Sequence, residues 1–158
     1  MLKNLVLTVS VAVPIVFALG QSPRSEEAKK QYLFVQTANE GRLDGNVLTM
    51  RGLGPTIVYF SDRPGRDVGF LTYPEFLGAW KRAANSFASD PPNASLTYRA
   101  NGKPAVAVLE LMEPSFSGGA LSYKVRSLQG KTPGRFAPVS LFIDSGGLMQ
   151  LVAYGAQN

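Results

Sequence analysis

Two short polar segments hold most of the residues in this chain that can do chemistry. They are Tyr59-Phe60-Ser61-Asp62-Arg63-Pro64, continued by Gly65-Arg66-Asp67, and Asp90-Pro91-Pro92-Asn93-Ala94. Both place charge and proline where glycine and serine would suffice for a plain connection, which builds a loop surface of defined shape. Asp62, Arg63, Arg66, Asp67, Asp90 and Asn93 are therefore the candidate binding residues. Arginine forks at this spacing can hold a carboxylate or sulfate on a ligand. The same residues also have a purely architectural reading. Asp62 can accept from backbone amides two residues on, Pro64 stiffens φ, and the arginines can pair with Asp62, Asp67 or Asp90 to lock the loop. A calcium site built from Asp62, Asp67 and Asp90 is opposed by the two arginines in the same stretch and lacks the EF-hand spacing.

The wider catalytic inventory is thin. The chain contains neither histidine nor cysteine. That removes Ser-His-Asp and Cys-His machinery, thiolate chemistry and nearly all zinc and copper sites. Gly52-x-Gly54 lacks the lysine and helix start of a phosphate loop. Paired carboxylates could hydrolyse glycosides, but Asp62, Asp67, Glu75 and Asp90 each lie beside an arginine or at a cap, which favours charge pairing. The expectation is a non-enzymatic chain with no catalytic residue, no metal site and no cofactor.

The ends and the composition set the context. Lys3, the apolar stretch from Leu5 to Leu19, and the small residues Ala18 and Gly20 read as a signal peptide over residues 1–20. The stretch falls short of the roughly twenty residues that span a bilayer, so no membrane span is expected once it is cleaved. Residues 21–30 read as a flexible lead-in, 31–144 as one β-rich domain, and 145–158 as a C-terminal tail or edge strand. An exported chain without cysteine must be held by burial alone, which points to a bacterial periplasmic or secreted protein. Lysine and arginine number 16 against 11 acidic residues, a net charge of +5 that falls by one with Lys3. The basic residues are scattered, so nucleic acid is not an expected partner. An anionic polysaccharide or another protein is.

The elements that must position the two segments follow from periodicity. Strands are expected over Gln31–Thr37, Val47–Met50, Thr56–Phe60, Ser95–Arg99, Ala105–Met112, Leu121–Arg126 and Val139–Ile143. Asp44-Gly45 and Asn101-Gly102 are hairpin turns; Gly41–Asn46, Pro114–Gly119 and Gly130–Pro138 read as connections. Between the polar segments the period changes to that of a helix. Thr72 and Glu75 form a capping box around Pro74, and Tyr73, Phe76, Leu77, Trp80 and Ala84 share one apolar face, with Asn85 as the stop. Trp80 is expected in the core. The fold class is mainly β with one helix (α+β): an antiparallel β-sandwich or partial barrel with a single inserted helix.

Tyr59-Phe60-Ser61-Asp62-Arg63-Pro64-x-Arg66-x-x-Gly69, then Phe76 to Trp80, then Phe87 to Asp90-Pro91-Pro92-Asn93-Ala94, resembles a family of small secreted bacterial proteins of unknown function. The resemblance covers roughly residues 32 to 144. It implies that the two loops and the helix belong to one unit, and it lends no catalytic or ligand residue. The functional expectation is an exported domain that binds a cell-envelope polysaccharide or a partner protein through the loops flanking the helix. Association through a terminal strand as a structural or assembly protein, and a carboxylate-dependent hydrolase, are the alternatives.

Overall fold

A computed structural model describes residues 31–61, 63, 65–82 and 86–145. The expected signal peptide, the lead-in and the tail from residue 146 lie outside the described residues. In chain order the elements are β1 (Tyr32–Asp44), β2 (Val47–Leu53), β3 (Ile57–Ser61), β4 (Val68–Leu71), α1 (Tyr73–Lys81), β5 (Asn93–Ala100), β6 (Lys103–Ser117), β7 (Ala120–Gln129), β8 (Arg135–Phe136) and β9 (Val139–Asp144). All strand pairings are antiparallel. The expectation of a mainly β domain with one inserted helix holds, and the strand pairings give it its barrel form.

The pairing closes because β1 is long enough to serve two neighbours on each edge. On one edge it takes β3 along Tyr32–Val35 and β2 along Ala38–Asp44. On the other it takes β9 along Leu33–Ala38 and β8 at Gly41 and Arg42. The order β1-β2-β7-β6-β5-β9 then returns to β1 and forms a ring, with the β3–β4 hairpin standing off it as a flap. β2 and β3 are nearly one strand interrupted at Gly54–Thr56, where the Gly54 N–H bonds to the Thr37 carbonyl at 2.9 Å. Closure leaves few open edges in the ring, which suits a chain without disulfides.

The turns follow their chemistry. Asn101 and Gly102 both take positive φ, 50° and 76°, as a two-residue hairpin requires. Gly118 and Gly119 do the same at 56° and 69°. The Pro114–Gly119 connection expected from sequence is therefore mostly strand: β6 runs on to Ser117 through a register shift at Glu113, and only the two glycines turn. β1 likewise continues through the glycine-containing stretch to Asp44. It can do so because Gly41 has no side chain, and the Phe136 ring lies where a Cβ would project. Two short strands escaped the sequence reading. β4 is flanked by proline- and glycine-containing loop residues, and the two residues of β8 are defined only by their partners on β1.

Inward-facing positions supply the core: Phe34, Leu48, Met50, Ile57, Leu96, Leu109, Leu111, Leu121, Leu141 and Ile143 are fully buried. The helix completes it. Phe76 and Trp80 project from α1 onto Phe34, Tyr123 and Phe87, with ring centroids 5.5 Å apart for Phe34–Phe76, 5.7 Å for Trp80–Tyr123 and 4.9 Å for Trp80–Phe87. Trp80 is 1% exposed, so it packs in the core as its position on the apolar face implies. Tyr73 stacks on Phe116 near the β6–β7 turn, and its hydroxyl donates to the Gly54 carbonyl at 2.9 Å, which ties the helix start to the β2–β3 break. The helix runs from Tyr73 to Lys81 with Arg82 as its C-cap, and the expected Ala84 and Asn85 lie outside the described residues. Replacing Trp80 with alanine should cost about 3–5 kcal/mol, read as a large drop in the urea midpoint.

The capping box forms as its spacing requires. The Glu75 N–H donates to Thr72 Oγ1 at 3.4 Å, while Glu75 Oε2 accepts from the Thr72 N–H and hydroxyl, each at 2.8 Å. The Thr72 backbone N–H, helped by its hydroxyl, holds the Glu75 carboxyl below its ordinary value. Because the folded value is the lower one, the stabilisation is present above the unfolded carboxylate range and is lost as pH falls through the folded value. Thr72→Ala removes the hydroxyl and keeps the backbone N–H, so it should bring the Glu75 titration part of the way back up, as followed by its side-chain carbonyl chemical shift.

Candidate functional site

The structure places five of the six expected binding residues, and they fall in two separate stretches. Arg63, Arg66 and Asp67 lie in the β3–β4 connection; Asp62 is outside the described residues. Asp67 is half-buried, and its carboxylate accepts from the Tyr32 hydroxyl at 3.1 Å while its N–H donates to Ser61 Oγ at 2.9 Å. Ser145 anchors the other side of Tyr32, its N–H bonding to the Tyr32 carbonyl at 2.9 Å and its Oγ accepting from the Tyr32 N–H at 2.7 Å. Asp90 is exposed at a turn, its N–H bonded to the Ser86 carbonyl, and Asn93 opens β5 opposite Glu110. The register runs β3, β1, β9, β5, so β1 and β9 separate the two segments. Three strand spacings amount to about 14 Å. Arg63 and Arg66 therefore share a hairpin tip with Asp67, and Asp90 and Asn93 belong to a separate stretch.

What the hairpin carries on its flank is more distinctive than its tip. Val58 and Phe60 of β3 face outward, directly opposite Phe70 and Val68 of β4. Val68 is 75% exposed and Phe70 70%, with Val58 and Phe60 at 42% each. The register extends this apolar surface onto β1, where Val35 lies beside Val58 and Leu33 beside Phe60, and from Val35 onto Phe142 of β9. Among the described residues the far edge of β4 pairs with no strand. An apolar face that ends on an open edge presents backbone donors and acceptors and hydrophobic side chains together.

The inner side of the hairpin is built to hold it in place. Ile57 and Leu71 are buried. Tyr59 packs edge-on to Tyr32 at 5.8 Å, and its hydroxyl lies 2.6 Å from where a Cβ on Gly69 would stand. The ring thus covers the glycine of β4 and stiffens a strand that has one neighbour among the described residues. The sequence signal for this face was the alternation Val58-x-Phe60 followed by Val68-x-Phe70. Only its first half was legible as strand, and neither half spoke of exposure, because which side of a hairpin is covered depends on the rest of the sheet.

One polar group lies deep in the ring. Tyr123 donates to Gln36 Oε1 at 2.9 Å, and both residues are fully buried. Burial pushes the Tyr123 hydroxyl well above its ordinary value and keeps it a neutral donor. Gln36 Nε2 has no hydrogen-bond partner among the described residues. Among the described residues no three or more acidic side chains gather to hold a metal ion, and no helix is long and apolar enough to cross a membrane. No protein-family model matches the chain, and no curated protein and no solved structure matches it.

Gln36→Leu and Tyr123→Phe should each cost about 1–3 kcal/mol by leaving the other side chain's polar atom unsatisfied. The double variant should recover part of that loss, and the coupling is measured by a double-mutant cycle in urea.

Proposed function

We propose that this chain is an exported, non-enzymatic docking domain that takes an extended segment of a partner polypeptide against the β3–β4 hairpin. The single observation that carries the reading is the exposed apolar pair Val68 and Phe70 on a strand whose far edge pairs with no strand among the described residues. A partner strand added to β4 would satisfy the open backbone groups, and its apolar side chains would cover Phe70, Val58 and Phe60. Arg63 and Arg66 at the hairpin tip supply a polar rim that sets the register of a partner with acidic flanks. The binding surface expected in the loops beside the helix thus moves along the same hairpin from its tip to its flank. Export is supported by the pattern of the first twenty residues and by the absence of cysteine, and a non-catalytic role by the absence of both histidine and cysteine.

The chain's lack of cysteine and the solvent position of these residues make a site-specific test clean. A photoreactive phenylalanine analogue at position 70 should give a covalent protein adduct in the producing cell. The same analogue at Leu128, an exposed apolar residue on β7, should give none. Val68→Lys should abolish the adduct without lowering Tm. An adduct of twice the chain's mass would make the partner a second copy. Equal labelling at both positions, or none at position 70, would sink the reading.

A further inference from the structure

A second surface lies on the other half of β1, away from the hairpin. Outward-facing residues of β1, β2 and β8 line an open groove of about 610 Å3. Its polar lining comprises Arg42, Arg51 and Arg135, the carboxylates Glu40 and Asp44, and the Thr49 hydroxyl. The register explains how they meet. Arg42 stands opposite Thr49 on one side and opposite Arg135 on the other, while Glu40 faces Arg51. The groove is held open by the β8 segment, which is tied down by the Leu43 N–H to the Gly134 carbonyl at 3.0 Å and by Phe136 packed on Gly41 and Tyr98.

Two arginines directly opposite each other in a sheet repel. Elsewhere among the described residues no two like charges stand directly opposite each other in register. Arg126 stands opposite Glu110 and makes two bonds to it, at 2.9 and 2.6 Å, and Lys124 meets Glu113 at 2.6 Å. In the groove only Arg42 has a carboxylate, Asp44 at 2.8 Å, two residues along its own strand. The guanidinium groups of Arg51 and Arg135 make no ion pair or side-chain hydrogen bond among the described residues. The arrangement leaves guanidinium forks for an incoming anion.

We propose that this groove binds an acidic sugar chain, one whose rings carry a carboxylate beside free hydroxyls. Arg135 and Arg51 take the sugar carboxylate, and Glu40, Asp44 and Thr49 accept from or donate to the hydroxyls. The two carboxylates in the lining select against a dense polyanion such as a nucleic acid or a polyphosphate, which they would repel. The exposed aromatic platform that single-stranded nucleic acid needs is missing from the lining, since Phe136 is buried.

The test is calorimetric titration of the folded chain with an oligogalacturonate of six units. A neutral hexasaccharide and dextran sulfate of matched length serve as comparators. The oligogalacturonate should bind and raise Tm, and the neutral sugar should do neither. Arg135→Gln and Arg51→Gln should each weaken binding by about tenfold or more. Ligand-free Tm should be unchanged or raised in Arg135→Gln, because it removes a repulsion, whereas a purely structural arginine would lower it. If Arg135→Gln fails to fold, Arg42→Gln tests the same forked site. Val68→Lys should leave the titration unchanged, which separates this site from the hairpin. No binding by the parent chain, binding of the neutral sugar, or dextran sulfate binding as tightly as the oligogalacturonate would each overturn the proposal.

Discussion

The aromatic contact between a nine-residue helix and the interior of the strand ring holds this structure together. Phe76, Trp80 and Phe87 enter from one stretch of chain and meet Phe34 and Tyr123 from two distant strands. A helix this short is marginal by itself, and the chain has no disulfide to supplement its core. Large rings give most apolar area per residue ordered, so a few aromatics can do what a longer helix would otherwise do. The capping box and the Tyr73 bond to Gly54 fix where the helix begins, and hence which way its apolar face points.

Both surfaces follow from β1. Because that strand is shared between β3 and β2 on one edge, the sheet divides into a closed ring and a flap. The flap keeps its inner side on the core through Ile57, Leu71 and Tyr59, and no described element covers its outer side. The same strand's other half brings Arg42 against Arg135, because β8 shares the edge that β9 occupies further along. One strand thus sets an exposed apolar face and an arginine-lined groove on separate halves of its length.

Much of the frame was legible in the residues. The Thr72–Glu75 box, the Asn101-Gly102 turn, the burial of Trp80 and the alternation of Leu121, Tyr123 and Val125 all came from local rules that the tertiary structure reinforced. β4 and β8 did not, because short strands are specified by their neighbours more than by their own propensity. Gly41 and Pro114 misled for a related reason: residues that usually signal turns here lie within long strands, at a covered glycine and within a bulge.

The candidate site divides in the same way. The sequence by itself determined the chemistry this chain can offer: arginine forks and carboxylates without histidine or cysteine, on a frame held by burial alone. It also marked the segment around Ser61–Asp67, which proves to be the tip of the flap. The tertiary structure alone decided which residues act together. It separated Asp67 from Asn93 by two strands, placed Arg42 beside Arg135 across a gap of more than ninety positions in sequence, and left Val68 and Phe70 facing outward. Side-chain type is a local property, whereas adjacency and exposure depend on strand register, and register is set by the whole closed sheet.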